Sequence, residues 1–188
     1  LENDSQNGLA HFLEHMAFNG TKRFPDKLIL NSLARHGVAF GSNVNAYTMW
    51  EETVYNLSDV PVDKPGLVDT CLTILADWSD YLTLSDEEIN KERGVIIEEW
   101  RTRRNANWRM MNMLLPFVFE GSKYAVRDII GDTLVLKTFP TDTIRAFYHD
   151  WYRTDLQAIA VVGDIDVNAL EKKIIELSLE KISQEWRH

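Results

Sequence analysis

The segment His11-Phe12-Leu13-Glu14-His15 puts two imidazoles four positions apart, with a carboxylate just before the second. That spacing suits a helix. Each helical residue turns about 100°, so positions i and i+4 lie about 40° apart on one face. His11 and His15 can then reach one ion. Glu14 falls about 60° to the other side of His11, inside the same arc. Leu9, Phe12, Leu13 and Met16 occupy the opposite arc, so the helix has a polar rim and a core-facing side. Catalytic zinc takes three protein ligands and leaves one position for water. A carboxylate beside the ion can act as general base on that water. The reading is a zinc hydrolase helix with His11 and His15 as metal ligands and Glu14 as the catalytic base. A third ligand is still required.

Composition narrows the class. The chain of 188 residues has 45% hydrophobic and 26% charged residues, enough for one domain with its own core. No run approaches a membrane span. The formal net charge of −9 argues against nucleic acid as a partner. Cys71 is the single cysteine, so no disulfide forms within the chain, and its apolar neighbours make it a core residue. The chain opens at Leu1 and reaches the motif within ten residues, which reads as a segment of something longer.

The pattern predicts a motif helix from Asn7 to Phe18 and a second helix from Asp26 to His36. Val38 to Thr48 is expected to be extended and Thr53 to Leu57 a paired strand. Asp63 to Leu82 is expected to be helical. Ser85-Asp86-Glu87-Glu88 is a capping box opening a long helix to about Arg104. A Met-rich helical segment follows through Phe119, then a loop containing Gly121 and Gly131, then a helix from Thr141 to Trp151. The apolar run from Ala158 to Gly163 is expected to be a buried strand, and a charged helix starts at Val167. The sum is an α+β fold with few strands, residues 1–188 forming a single domain.

The long helix holds the candidates for the third ligand. Glu92 and Glu99 are seven apart, within about 20° of alignment, on the face bordered by Ile89, Ile96 and Trp100, all expected to be buried. Glu87, Lys91 and Glu98 point to water. Carboxylates beside an apolar stripe need partners, and a metal or a metal-bound histidine supplies one. The two lie roughly 10 Å apart along the axis, so one ion takes one of them. Helix geometry leaves the choice open.

His11-Phe12-Leu13-Glu14-His15-Met16-Ala17-Phe18-Asn19-Gly20-Thr21, Asn45-Ala46-Tyr47-Thr48, Glu52-Thr53-Val54-Tyr55 and Glu92-Arg93-x-Val95-Ile96-x-x-Glu99 follow one another in order. Together they resemble the insulinase/pitrilysin family of inverted zincins, which includes mitochondrial processing peptidase. The stretches around Phe18 and Trp100 look most like the large bacterial zinc proteases of that family. The resemblance implies an insulinase-like metallohydrolase fold, with helices on one side of a small, mostly antiparallel sheet, truncated at the N-terminus. It implies one zinc ion bound by His11, His15 and Glu99, with Glu14 as general base and Glu92 in the outer shell. The span from His15 to Glu99 exceeds that of the best-known members. Counting at their spacing lands near Glu92, which stays the alternative ligand. Asn45, Ala46 and Tyr47 are implied to form the sheet edge to which a peptide substrate adds as an extra strand.

The implied function is a zinc endopeptidase acting on peptides or unfolded polypeptides, in a bacterial periplasmic or cell-envelope setting rather than the cytoplasm. The family also has a second, metal-free domain that clamps the peptide and supplies an Arg and a Tyr. Nothing here corresponds to it, so the remaining domains of a longer protease are expected partners. Exposed edges predict self-association of the segment, which alone is expected to be inactive if the clamp is required. The rival reading is a catalytically dead peptide-binding or scaffold subunit of the same fold; such subunits usually break the motif, which is whole here. A structural zinc site fits poorly, because it prefers four closed ligands. His36, His149 and His188 have no motif around them and are expected at the surface.

Overall fold

Side-chain caps decide where several helices begin. Ser85 Oγ accepts a hydrogen bond from the Glu88 amide at 3.3 Å, and Asn105 Oδ1 accepts from Trp108 at 3.0 Å. Asp132 Oδ1 accepts from Leu134 and Val135 at 2.8 and 3.1 Å. The computed structural model describes residues 2–185, so His188 lies outside the described residues. The elements run α1 (Leu9–Met16), α2 (Leu28–Ala34), β1 (Val44–Thr48), β2 (Thr53–Leu57), α3 (Leu67–Asp80), α4 (Asp86–Arg103), α5 (Ala106–Val118), α6 (Thr133–Thr138), α7 (Thr141–Trp151) and α8 (Val167–Glu185), with short 3₁₀ turns between some of them. β1 and β2 form a two-stranded antiparallel hairpin, closed by the Met49 amide donating to Glu52 O at 2.8 Å. The α+β expectation holds, with helices dominating.

Two compact units divide the chain. One comprises Leu1–Met16, Ala46–Val54 and Leu84–Phe147; the other comprises Ala17–Asn45, Tyr55–Thr83 and Tyr148–His188. In the first, α1 packs on α4 and α4 on α6. Leu9, Phe12, Leu13, Ile89, Ile96, Leu136 and Ile144 are fully buried there, and Phe12 meets Phe139 edge to face at 5.0 Å. In the second, Ala17, Ile29, Leu33, Val38, Val44, Leu67, Cys71, Ile74 and Trp78 form the core. Trp78 Nε1 donates to Ala17 O at 2.8 Å. Cys71 is buried as expected, and burial pushes its thiol up to about 11. Asp77, also fully buried, accepts from Thr21 Oγ1 at 2.6 Å, Arg23 Nη1 at 2.7 Å and the Arg23 amide at 3.1 Å.

Several expected bounds move. The motif helix starts at Leu9 because Gly8 has a φ of +100°, outside helical space. The helices expected from Asp26 and Asp63 are trimmed to Leu28–Ala34 and Leu67–Asp80. α6 occupies part of the expected loop. Residues 158–163 are not a buried strand: they carry no strand pairing, and Ile159, Val161 and Val162 are exposed. An apolar run becomes a strand only where a neighbour completes its ladder, and the described sheet contains β1 and β2 alone. His36 and His149 are exposed, as expected. No helix among the described residues is long and apolar enough to cross a membrane.

Candidate metal centre

The motif helix is anchored at both its N-terminus and its apolar face. Glu2 accepts from the Gly8 and Ala10 amides at 3.0 and 2.8 Å, placing a carboxylate on the free N–H groups that open α1. Gly8 and Gly131 approach so closely that a Cβ on Gly8 would sit 2.6 Å from Gly131 Cα. Leu9, Phe12 and Leu13 fill the core, which turns His11, Glu14 and His15 toward α4 and β1 within the same unit.

Glu99, on α4, meets both imidazoles. Its Oε2 lies 3.2 Å from His15 Nε2 and 3.7 Å from His11 Nε2. The two rings stand edge to face, 4.7 Å between centres. One ligand atom from each of His11, His15 and Glu99 lies within 4.8 Å of the others, close enough to share an ion. Two imidazoles and one carboxylate are a donor set that zinc accepts. Glu92 is directed elsewhere: its Oε1 is 2.8 Å from His15 Nδ1. A carboxylate there can only accept, so Nδ1 carries a proton, and Nε2 is the nitrogen left to serve as ligand atom when a metal is bound. Glu14 lies outside the trio, and its Oε2 accepts from Thr48 Oγ1 at 2.5 Å.

The electrostatics of these groups are strongly mutual. Burial, and then the charge of His15, holds His11 down to about 4. Burial also acts against a charged His15, but its hydrogen bonds to Glu92 and Glu99 outweigh that and push it up to about 9. Glu99 is lowered, chiefly by its bond to His15. Burial raises Glu14, with the Thr48 bond working against it. Such displaced titrations gather where chemistry is done.

Around α4, Ile89 and Ile96 are buried as expected, and Glu87, Lys91 and Glu98 face water. Trp100 is only partly buried; the Arg104 guanidinium lies 3.3 Å from its ring centre and covers it. Asn45 and Tyr47 are exposed on β1, while Ala46 is half-buried. Thr48 was passed over by the motif reading. Its signal was there: in a strand it shares the inward face with Val44 and Ala46, one position beyond the expected substrate residues. Arg103 was passed over as well, and its Nη2 sits 2.5 Å from Glu99 Oε1.

The model of the family described as insulinase, peptidase family M16, matches residues 1–125. The chain belongs to this peptidase family. It is 37% identical to the probable zinc protease PqqL of Haemophilus influenzae over 184 residues, which is 98% of this chain and 19% of that protein. It is 42% identical to the zinc protease PQQL-like of Arabidopsis thaliana over 164 residues, 87% of this chain and 17% of that protein. The chain therefore spans less than a fifth of the length of these curated relatives. The crystal structure of the first half of the periplasmic protease PqqL from Escherichia coli superposes with a TM-score of 0.87 at 36% identity, covering 93% of this chain and 37% of that one.

Proposed function

We propose that residues 1–188 form the zinc-binding catalytic half-domain of an endopeptidase that cleaves peptides or unfolded polypeptides. The observation that carries this reading is Glu99 Oε2 facing the Nε2 atoms of both motif histidines. His11, His15 and Glu99 would hold one zinc ion. When bound, zinc supplies Lewis-acid polarisation of the scissile carbonyl and makes a water more acidic. The chain's own residues do the rest. Glu14 takes a proton from the attacking water and later delivers it to the leaving amine nitrogen. Thr48 holds the Glu14 carboxylate in place through its hydroxyl. Glu92 keeps the His15 proton on Nδ1 and so frees Nε2 as a ligand atom.

β1 is read as the docking edge, with Asn45, Ala46 and Tyr47 offering main-chain hydrogen bonds to an extended substrate. The exposure of Asn45 and Tyr47 supports this. The much greater length of the relatives supports further domains as partners. The Escherichia coli protein is described as periplasmic, which favours the same setting here.

Three variants of the full-length protein test the assignment. Glu14→Gln is expected to keep zinc and lose peptide cleavage by about 10²–10⁴-fold. Glu99→Gln is expected to lose zinc. Glu92→Gln is expected to keep it, about 10–100-fold more weakly. Wild-type cleavage by Glu14→Gln would remove the proposed base. Zinc retained by Glu99→Gln and lost from Glu92→Gln would exchange their roles.

A further inference from the structure

Two arginines in the last turn of α4, Arg101 and Arg103, and the cap residue Arg104 each have a different partner. Arg101 bonds Glu98, with Nη2 at 2.5 Å and Nε at 2.9 Å from its carboxylate. Arg104 lies between two indoles, 3.3 Å from the Trp100 ring centre and 3.9 Å from that of Trp108. Arg103 reaches back one turn to Glu99, Nη2 to Oε1 at 2.5 Å. The two oxygens of Glu99 are thereby divided: Oε1 belongs to Arg103, and Oε2 faces the two histidines.

This division matters for a three-ligand zinc site. A carboxylate that binds through both oxygens fills the position catalysis needs for water. A guanidinium on one oxygen leaves the other to act alone. The pair is in the favourable order, acid preceding base by four residues, so the helix itself presents Arg103 to Glu99. The Arg103 side chain is 64% exposed, and a pair that open to water adds little to stability. Orientation is what it can supply.

We infer that Arg103 is a positioning residue, which holds Glu99 to one-oxygen ligation and keeps the fourth site of the metal open for water. The inference rests on the metal assignment proposed above. Arg103→Met and Arg103→Lys, made in the full-length protein, test it. Zinc affinity is measured by chelator competition, and coordination number by the visible absorption of the cobalt-substituted protein. Arg103→Met is expected to bind zinc about tenfold more weakly, within the range for outer-shell partners. Its cobalt bands are expected to weaken as Glu99 closes on the ion with both oxygens. Peptide cleavage is expected to fall in kcat more than to rise in KM, with an unchanged thermal midpoint. Arg103→Lys should recover most of the affinity and the spectrum. Wild-type affinity and spectrum in Arg103→Met would overturn the role of Arg103 while leaving the metal site standing. Wild-type zinc affinity in His11→Ala and His15→Ala would overturn both.

Discussion

Asp77 is a fully buried carboxylate and Glu99 a partly buried one, and their surroundings differ in kind. Asp77 has every need met by its own chain: a threonine hydroxyl, an arginine and a backbone amide all donate to it. Glu99 has one oxygen answered by Arg103, while the other faces two imidazole nitrogens that can themselves be lone-pair donors. A buried acid surrounded by donors is a finished structural joint. A partly buried acid that meets two imidazole nitrogens can share a metal ion with them. The first arrangement builds the second unit's core; the second defines the site on the first unit.

Breaking each acid should therefore cost something different. Asp77→Asn is expected to lower unfolding free energy by roughly 2–4 kcal/mol, because Arg23 loses its charged acceptor and the buried bonds weaken. Urea unfolding measures this, and zinc per folded molecule should stay at the wild-type value. Glu99→Gln should show the converse, losing zinc while the metal-free protein unfolds closer to wild type. If Asp77→Asn also emptied the metal site, the two acids would not be separable in this way. A smaller effect tests the support of Glu14, the proposed base. Thr48→Val keeps the strand and removes the hydroxyl that donates to Glu14. It should cut kcat about tenfold with zinc content intact, read by steady-state kinetics beside metal analysis. The smallest effect lies on α4 away from either acid. Gly94 sits mid-helix with open space around its Cα. Gly94→Ala should stabilise the fold by about 0.5–1 kcal/mol without touching zinc affinity.

How much of this was legible in advance depended on the range of the forces involved. The bounds of β2 and α7 follow from local pattern and turn signals, and the structure places them where the pattern does. α1 came out shorter because Gly8 is pulled against Gly131, a contact between residues far apart in the chain. Residues 158–163 looked like a strand on hydrophobicity alone, yet no ladder partner stands beside them among the described residues. Thr48 and Arg103 went unassigned for a related reason. A threonine in a strand and an arginine near a helix end are ordinary until the side chain opposite them is known.

His11, Glu14 and His15 share one face by the helical period alone, since that period is a property of eight consecutive residues and needs no partner. The same local rule put Glu92 and Glu99 on one side of α4 and could go no further. Their division of labour, Glu99 to the Nε2 atoms and Glu92 to His15 Nδ1, was decided by the tertiary structure. Packing of α1 on α4 sets the height and rotation of one helix against the other, and a difference of two turns changes which carboxylate arrives.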